Sequence, residues 1–395
     1  MKRKIAMVVQ RYGKEVNGGA ETLARQLAEN MKGLYDIEVL TTKAIDYVTW
    51  KDEYADATEV IDGITVRRFS VDKPRNIEEF GAFCPKVLGN DSHSLEDEQK
   101  WFELQGPSVP ELFEYIADNV DTYDVFIFMT YLYSTTVKGL PLVKDKSILI
   151  STAHDETPIY LKTFEQLFKM PKAMYYLTVE ERDFVRKKFG IADIRDNDGH
   201  GGSGIEVPSV TELMPLAKRG ILEYIVYVGR IDSAKGCEEL FDNFVRYKER
   251  NPNKLKLVLM GKAVLDIPDN EDIVSLGFVS EEEKYNVMAG AKMLVMPSHF
   301  ESLSIVVLES MALGVPVVVN SQCDVLKGHC VRSNAGLYYT NYSEFEACVN
   351  YLIKNGEESS LMGQNGIEYV KDNYTWDKIV GSMVDLIEYV VNEKA

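Results

Sequence analysis

Residues 299–320 read HFESLSIVVLESMALGVPVVVN, with seven residues between Glu301 and Glu309. Nearly everything around the two glutamates is apolar or small. Carboxylates rarely enter such surroundings without a partner. Gly314 followed by Pro316 stops a helix, and Ser302 or Ser304 can cap its start. The pattern predicts a helix over roughly 304–313, with Glu301 just ahead of it at a strand end and Glu309 in its second turn. A helix start that follows a strand binds anions, because free N–H groups point outward and the dipole favours negative charge. Small serines there let a phosphate approach. A carboxylate beside a phosphate would repel it, so the glutamates must address something else. An ionised carboxylate only accepts hydrogen bonds, and a vicinal diol offers two donors. A nucleotide diphosphate sugar answers the whole pattern: one sugar for each glutamate, phosphates between. Taken alone, the stretch fits a loop Glu301 and a solvated Glu309 about equally well.

Other segments add to it. VGRIDSAKG, residues 228–236, puts Arg230 and Lys235 at a strand's C-terminal end, where ligands bind in parallel sheets. Two such cations can grip a diphosphate; alone, they also fit a charged surface loop. In NGGAETL, residues 17–23, Gly18 and Gly19 permit close backbone approach. No Lys-Ser/Thr follows, so this is not a P-loop. STAHDE, residues 151–156, ends a strand with His154, suited either to a substrate hydroxyl or to a structural place in its loop. GFVSEEEK, residues 277–284, offers a backbone edge at Phe278 and Val279 for a base, with Lys284 on the following helix.

These residues need elements to hold them. KIAMVVQ, AETLARQLAENM and DIEVLTT read strand, helix, strand, and TYDVFIFMT and SILISTAHD add apolar runs. The alternation restarts at LEYIVYVGR and continues to VPVVVN. Two such series imply two doubly wound domains. The stretch IRDNDGHGGSGIEVP, residues 194–208, reads as a polar, glycine-rich connection between them. Its Gly199, Gly201 and Gly204 match G-x-G-x-x-G in form only, with neither a strand before nor a helix after.

Composition bounds the rest. The 395 residues are 45% hydrophobic and 27% charged, as in globular chains. A formal net charge of −18 disfavours nucleic acid and anionic lipid as partners. Five scattered cysteines fit reduced thiols, and Cys323, His329 and Cys330 lack the second ligand pair that a zinc site needs. The start, MKRKIAMVVQRYG, stops being apolar at Gln10 and reads as a first buried strand, so a cytoplasmic protein is expected.

With these motifs together, the chain resembles the retaining glycosyltransferases of family 4. The resemblance is carried by Glu301-x7-Glu309, Gly18-Gly19, the G-R-x4-K-G around Arg230 and Lys235, and the G-x-V at Gly277–Val279. It implies the GT-B architecture: α/β, two doubly wound Rossmann-like domains facing a cleft. The expected division is 1–205 for the acceptor, 206–374 for the nucleotide sugar, and 375–395 as a terminal helix crossing back. The resemblance implies that Glu309 binds the ribose and Glu301 the transferred sugar. Arg230 and Lys235 would hold the diphosphate with the backbone at Leu303, Ser304 and Gly19, and His154 would touch the transferred sugar. Two departures stand out: Ser302 and Ser304 replace the usual glycines, and Gly204-Ile205-Glu206 only echoes the junction motif Asn-Gly-Val-Asp.

The activity implied is transfer of a hexose-type sugar, with retention, to an acceptor hydroxyl in polysaccharide or glycoconjugate synthesis. The expected donor is a nucleotide diphosphate sugar, a UDP-sugar ahead of others, with no cofactor and no metal. Asp196 and Asp198 form the one Asp-x-Asp pair considered, and they lie in the connection. The expected acceptor is a glycan or glycolipid, with at most peripheral membrane contact. The alternatives are an epimerase of the same architecture, a non-catalytic partner of another transferase, and a two-lobed sugar-binding protein. An NAD enzyme is disfavoured, because neither sheet's first turn carries the glycine fingerprint.

Overall fold

The computed structural model describes residues 2–16, 18–90, 92–191, 195–196 and 201–392. The chain divides into two units, one built from residues up to Ser203 together with the last helix, the other from Gly204–Thr375.

The first unit holds β1 (Lys4–Val8), β2 (Asp36–Thr42), β3 (Thr58–Ile61), β4 (Ile64–Phe69), β5 (Val125–Met129), β6 (Ser147–Ile150), β7 (Ala173–Tyr175) and β8 (Arg195–Asp196). They form one sheet in the order β3-β4-β2-β1-β5-β6-β7-β8. Every neighbouring pair is parallel except the β3–β4 hairpin, which turns at Asp62 and Gly63, both at positive φ. The order reverses beside β1, so the loops after β1 and β5 diverge there. Strands covered on both faces must be apolar throughout, and VFIFM of β5 is buried at every residue. The last helix, Trp376–Asn392, buries Ile379, Met383, Leu386, Ile387 and Val390 on one stripe and packs on β5, β6 and β7.

Three helices between β4 and β5, Ile77–Leu88, Leu95–Gln105 and Pro110–Asp118, lay outside the sequence-based expectation. Glu98 on the second is fully buried. Its carboxylate accepts from the Lys162 and Thr163 N–H groups at 2.9 and 2.8 Å and from the Thr163 hydroxyl at 2.6 Å, with His93 Nε2 at 2.7 Å. The helix Lys162–Leu167 has no capping side chain of its own at Leu161. A carboxylate from a distant helix does that work.

The second unit holds β9 (Tyr224–Val228), β10 (Lys256–Met260), β11 (Ile273–Gly277), β12 (Leu294–Met296), β13 (Val317–Asn320) and β14 (Gly336–Tyr339). The order is β11-β10-β9-β12-β13-β14, all parallel. This is the doubly wound order, with its reversal between β9 and β12.

The stretch read as a polar connection is corrected in two respects. Its Arg195–Asp196 segment is β8, paired with β7, so a short strand does precede the three glycines. Residues 201–204 are buried rather than solvated. A Cβ on Gly201 would come within 2.6 Å of the Tyr176 carbonyl, and the Ser203 hydroxyl bonds Gln26. Asn17, Asp198 and Gly199 lie outside the described residues, and Asp196 is described only as part of the two-residue strand. Among the described residues no helix is long and apolar enough to cross a membrane.

Candidate active site

Two loops leave the second sheet at its reversal point. One follows β9 and carries Arg230 and Lys235; the other follows β12 and carries Glu301 to Ser304. They meet: Lys235 Nζ donates to Glu301 Oε1 at 2.8 Å. Arg230 is held by its own neighbour, with Nε donating to Asp232 Oδ2. The other Asp232 oxygen accepts the Lys235 N–H at 2.9 Å, so one aspartate both orients the arginine and caps the turn Ser233–Lys235.

Glu301 stands in a loop, not at the strand end, because β12 stops at Met296. The following helix is Ile305–Ala312, one residue shorter at each end than expected. Ser304 is its N-cap but offers no side-chain hydrogen bond; its φ is +63° and ψ +70°, the left-handed region. That is where glycine would sit without strain. Among the described residues, no backbone or side-chain acceptor takes the Ser304 N–H.

Glu309 is buried, which removes the solvated reading. Lys284 Nζ and the Tyr285 hydroxyl donate to its Oε1 at 3.1 and 2.7 Å, from the helix Glu281–Ala289. Its Oε2 is buried with no hydrogen bond. Burial pushes the Glu309 carboxyl above the usual range, against the pull of Lys284 and Tyr285. Ahead of that helix, Gly277 takes φ +69°, and Phe278 is 81% exposed beside half-buried Val279. So Arg230, Lys235, Glu301, Ser302, Leu303 and Ser304 gather at the sheet's reversal, and Lys284 reaches Glu309 from the side. Asp232 and Tyr285 were missed by sequence reasoning. Their signals were an Asp-Ser before a turn and a tyrosine next to a named lysine.

Gly18, Gly19 and His154 belong to the first unit. Gly18 precedes the helix Gly19–Met31, and a Cβ on it would lie 2.2 Å from Glu21 Oε2; a Cβ on Gly19 would meet nothing. Behind these glycines, buried Glu21 takes the Gln10 amide at 2.9 Å and pairs with buried Arg11. His154 follows β6, with Nε2 3.4 Å from Glu156 Oε2, and the Tyr131 hydroxyl donates to the other oxygen at 2.6 Å. Burial tends to raise the Glu156 carboxyl; His154 and Tyr131 outweigh it and hold it below the usual range. The turn carrying His154 is anchored by Glu181, which accepts from the Ser151 hydroxyl and the Ala153 N–H, both at 2.6 Å, and from the Leu177 N–H at 2.7 Å. Burial pushes that carboxyl up to about 7 despite those bonds. Among the described residues, no group of three His, Cys, Asp or Glu side chains could hold a metal.

Residues 215–369 match the family model described as glycosyl transferases group 1. This part of the chain is similar to group 1 glycosyl transferases. It contains both glutamates, both lysines and Arg230. A curated relative, the uncharacterized glycosyltransferase MJ1607 of Methanocaldococcus jannaschii, is 28% identical over 172 residues, 41% of this chain and 44% of the relative. The curated relatives are each matched over less than half their length. Two solved structures align over nearly all of both chains. The Anabaena protein Alr3699/HepE in complex with UDP and glucose gives a TM-score of 0.69 at 14% identity, covering 98% of this chain and 99% of its own. Sucrose-phosphate synthase of Thermosynechococcus elongatus gives 0.69 at 16%, covering 99% and 100%. At such identity they show the fold, the two Rossmann-like domains of the GT-B class. The matched residues fall within the second unit, whose strand order places Glu301 and Arg230 at the reversal point.

Proposed function

We propose that this protein is a retaining glycosyltransferase that moves a hexose-type sugar from a nucleotide diphosphate sugar to an acceptor hydroxyl. The observation that carries the reading is the pair of lysine–glutamate contacts flanking the start of the helix Ile305–Ala312. Lys235 holds Glu301 on one side and Lys284 holds Glu309 on the other. Each contact joins a cation suited to phosphate with a carboxylate suited to hydroxyls. Glu309, whose Oε2 has no hydrogen-bond partner, takes the ribose diol. Glu301 takes the transferred sugar. Arg230, Lys235 and the Leu303–Ser304 backbone take the diphosphate, and Phe278 and Val279 border the base.

A departing diphosphate needs its growing charge stabilised more than it needs a protein nucleophile. Arg230, Lys235 and the helix start supply that charge, and the leaving phosphate takes the acceptor proton. The first unit takes the acceptor, a glycan or glycolipid, and His154 steadies the sugar near the reacting carbon. The Anabaena structure in complex with UDP and glucose supports a UDP-sugar as donor. The reading includes a role in polysaccharide or glycoconjugate synthesis.

The test is binding and turnover across UDP-, GDP- and ADP-sugars. Glu309→Gln should weaken the free nucleoside diphosphate, whereas Glu301→Gln should spare it and impair the complete donor and turnover. Equal loss of the bare diphosphate in both variants would contradict the division of roles. Wild-type protein that binds no nucleotide sugar would end the reading.

A further inference from the structure

Ser304 holds a left-handed backbone that costs an L-residue about 1–2 kcal/mol, so something must hold it there. Its own side chain does not, and the nearest fixed point is the peptide before it. The Leu303 carbonyl lies 2.9 Å from Nε2 of His329, a fully buried histidine on the helix Asp324–Ser333. A carbonyl can only accept, so Nε2 carries the hydrogen. In the neutral ring Nδ1 then accepts, and the Tyr369 hydroxyl, 3.1 Å away, donates to it. The Tyr369 oxygen accepts from Arg332 Nε at 3.2 Å, with the Tyr374 hydroxyl at 3.3 Å. Both tyrosine rings pack edge-on against the imidazole, their centroids 6.0 Å from it. The ring therefore has one tautomer and one orientation. Tyr374 is tied in turn to the start of this unit, since its carbonyl accepts the Ile205 N–H at 2.8 Å.

A trans peptide is planar, and its C=O and N–H point opposite ways. Fixing the Leu303 carbonyl on His329 thus aims the Ser304 N–H away from the core, in the direction left without a protein acceptor. We propose that His329 is a positioning residue for the donor's diphosphate, holding the Leu303–Ser304 peptide so that the Ser304 N–H meets a phosphate oxygen. This rests on the donor-site reading above. It also accounts for serine at a backbone position that suits glycine: the anchor behind the turn supplies the restraint that the residue type does not.

The experiment compares wild type with His329→Phe, which keeps a ring and deletes both hydrogen bonds, and His329→Gln, which keeps an amide N–H for the Leu303 carbonyl. Affinities are measured for UDP, GDP and ADP and for uridine, guanosine and adenosine, together with amide hydrogen exchange over residues 302–308. His329→Phe should weaken the preferred diphosphate about tenfold, or ~1.4 kcal/mol, leave the matching nucleoside unchanged, and speed exchange at the turn even without nucleotide. His329→Gln should recover most of both. If His329→Phe fails to fold, Tyr369→Phe, which removes only the hydroxyl facing Nδ1, should give a loss of about threefold. Unchanged diphosphate affinity in the folded variant, or equal weakening of nucleoside and diphosphate, overturns the proposal alone. A wild-type protein that binds none of the three diphosphates overturns the donor-site reading and this proposal with it.

Discussion

Each cation of the proposed clamp is already engaged: Lys235 with Glu301 and Arg230 with Asp232. A phosphate would compete for charges that carboxylates now hold, so the donor must offer the glutamate hydroxyls in exchange. Arg230→Ala and Lys235→Ala should each lower kcat/KM by about 2–4 kcal/mol, the range for losing one strong electrostatic donor. Steady-state kinetics with the preferred nucleotide sugar measure this, and near-normal values in both would remove the loop from the site. The exchange also explains why side-chain type alone left Glu309 undecided between a solvated and a functional place. Its burial depends on Lys284 and Tyr285, which come from a different helix.

Among the elements, the helix Lys162–Leu167 depends on a carboxylate that belongs to another. Glu98→Ala would leave the Lys162 and Thr163 N–H groups and the Thr163 hydroxyl facing a buried gap. Each unsatisfied donor costs about 1–3 kcal/mol, and partial relaxation brings the expected loss to about 2–4 kcal/mol, measured by denaturant unfolding. A loss below ~0.5 kcal/mol would show that the cap is not needed. Alternating apolar runs made both parallel sheets legible, since strands buried on both faces leave that trace. The β3–β4 hairpin carried the Asp62-Gly63 turn signal and was passed over. The helices of residues 77–118 were not anticipated either. The first of them, Ile77–Leu88, buries only Val87 fully, so little of it answers to a core-facing stripe.

Across the molecule, two consequences follow from charge. Burial keeps the proton on Glu181 in the folded chain up to about pH 7, whereas the unfolded chain releases it near the ordinary 4.5. Between these limits the folded state binds more protons, so this residue's contribution to stability falls as pH rises through the window and levels off above it. Glu98 and Glu156, held below their usual range, act in the opposite sense: their contributions are lost as pH falls below the carboxylate range. Glu181→Gln should therefore flatten the decline of stability between about pH 4.5 and 7, read as the difference from wild type in urea unfolding at each pH. An unchanged difference across that range would count against a buried proton there. The second, for the proposed clamp, is an expected metal independence. In the proposed clamp, Arg230, Lys235 and the helix start provide the positive charge that a diphosphate would otherwise ask of a metal. Full turnover is expected in excess EDTA, and Asp196→Asn with Asp198→Asn should have little effect. Loss in EDTA restored by Mg²⁺ or Mn²⁺ would refute the clamp.

The sequence by itself determined the doubly wound α/β class, the two series of strands and helices, and the residues of the second unit proposed to bind a nucleotide sugar. Those are local properties: apolar periodicity, a helix stop at Gly314, seven residues between paired carboxylates, cations at strand ends. Only the tertiary structure decided how each residue is satisfied. It paired Lys235 with Glu301 because β9 and β12 are neighbours at the reversal of the sheet, although about 66 positions separate the two residues. It buried residues 201–204, which their polar and glycine-rich composition marked as a connection between domains. It turned His329, read only as a weak metal candidate, into the support of the Leu303 carbonyl. The reason is common to all three. Composition reports what a side chain can bond to, whereas the partner it finds is set by which elements the fold brings alongside it, far away in the chain.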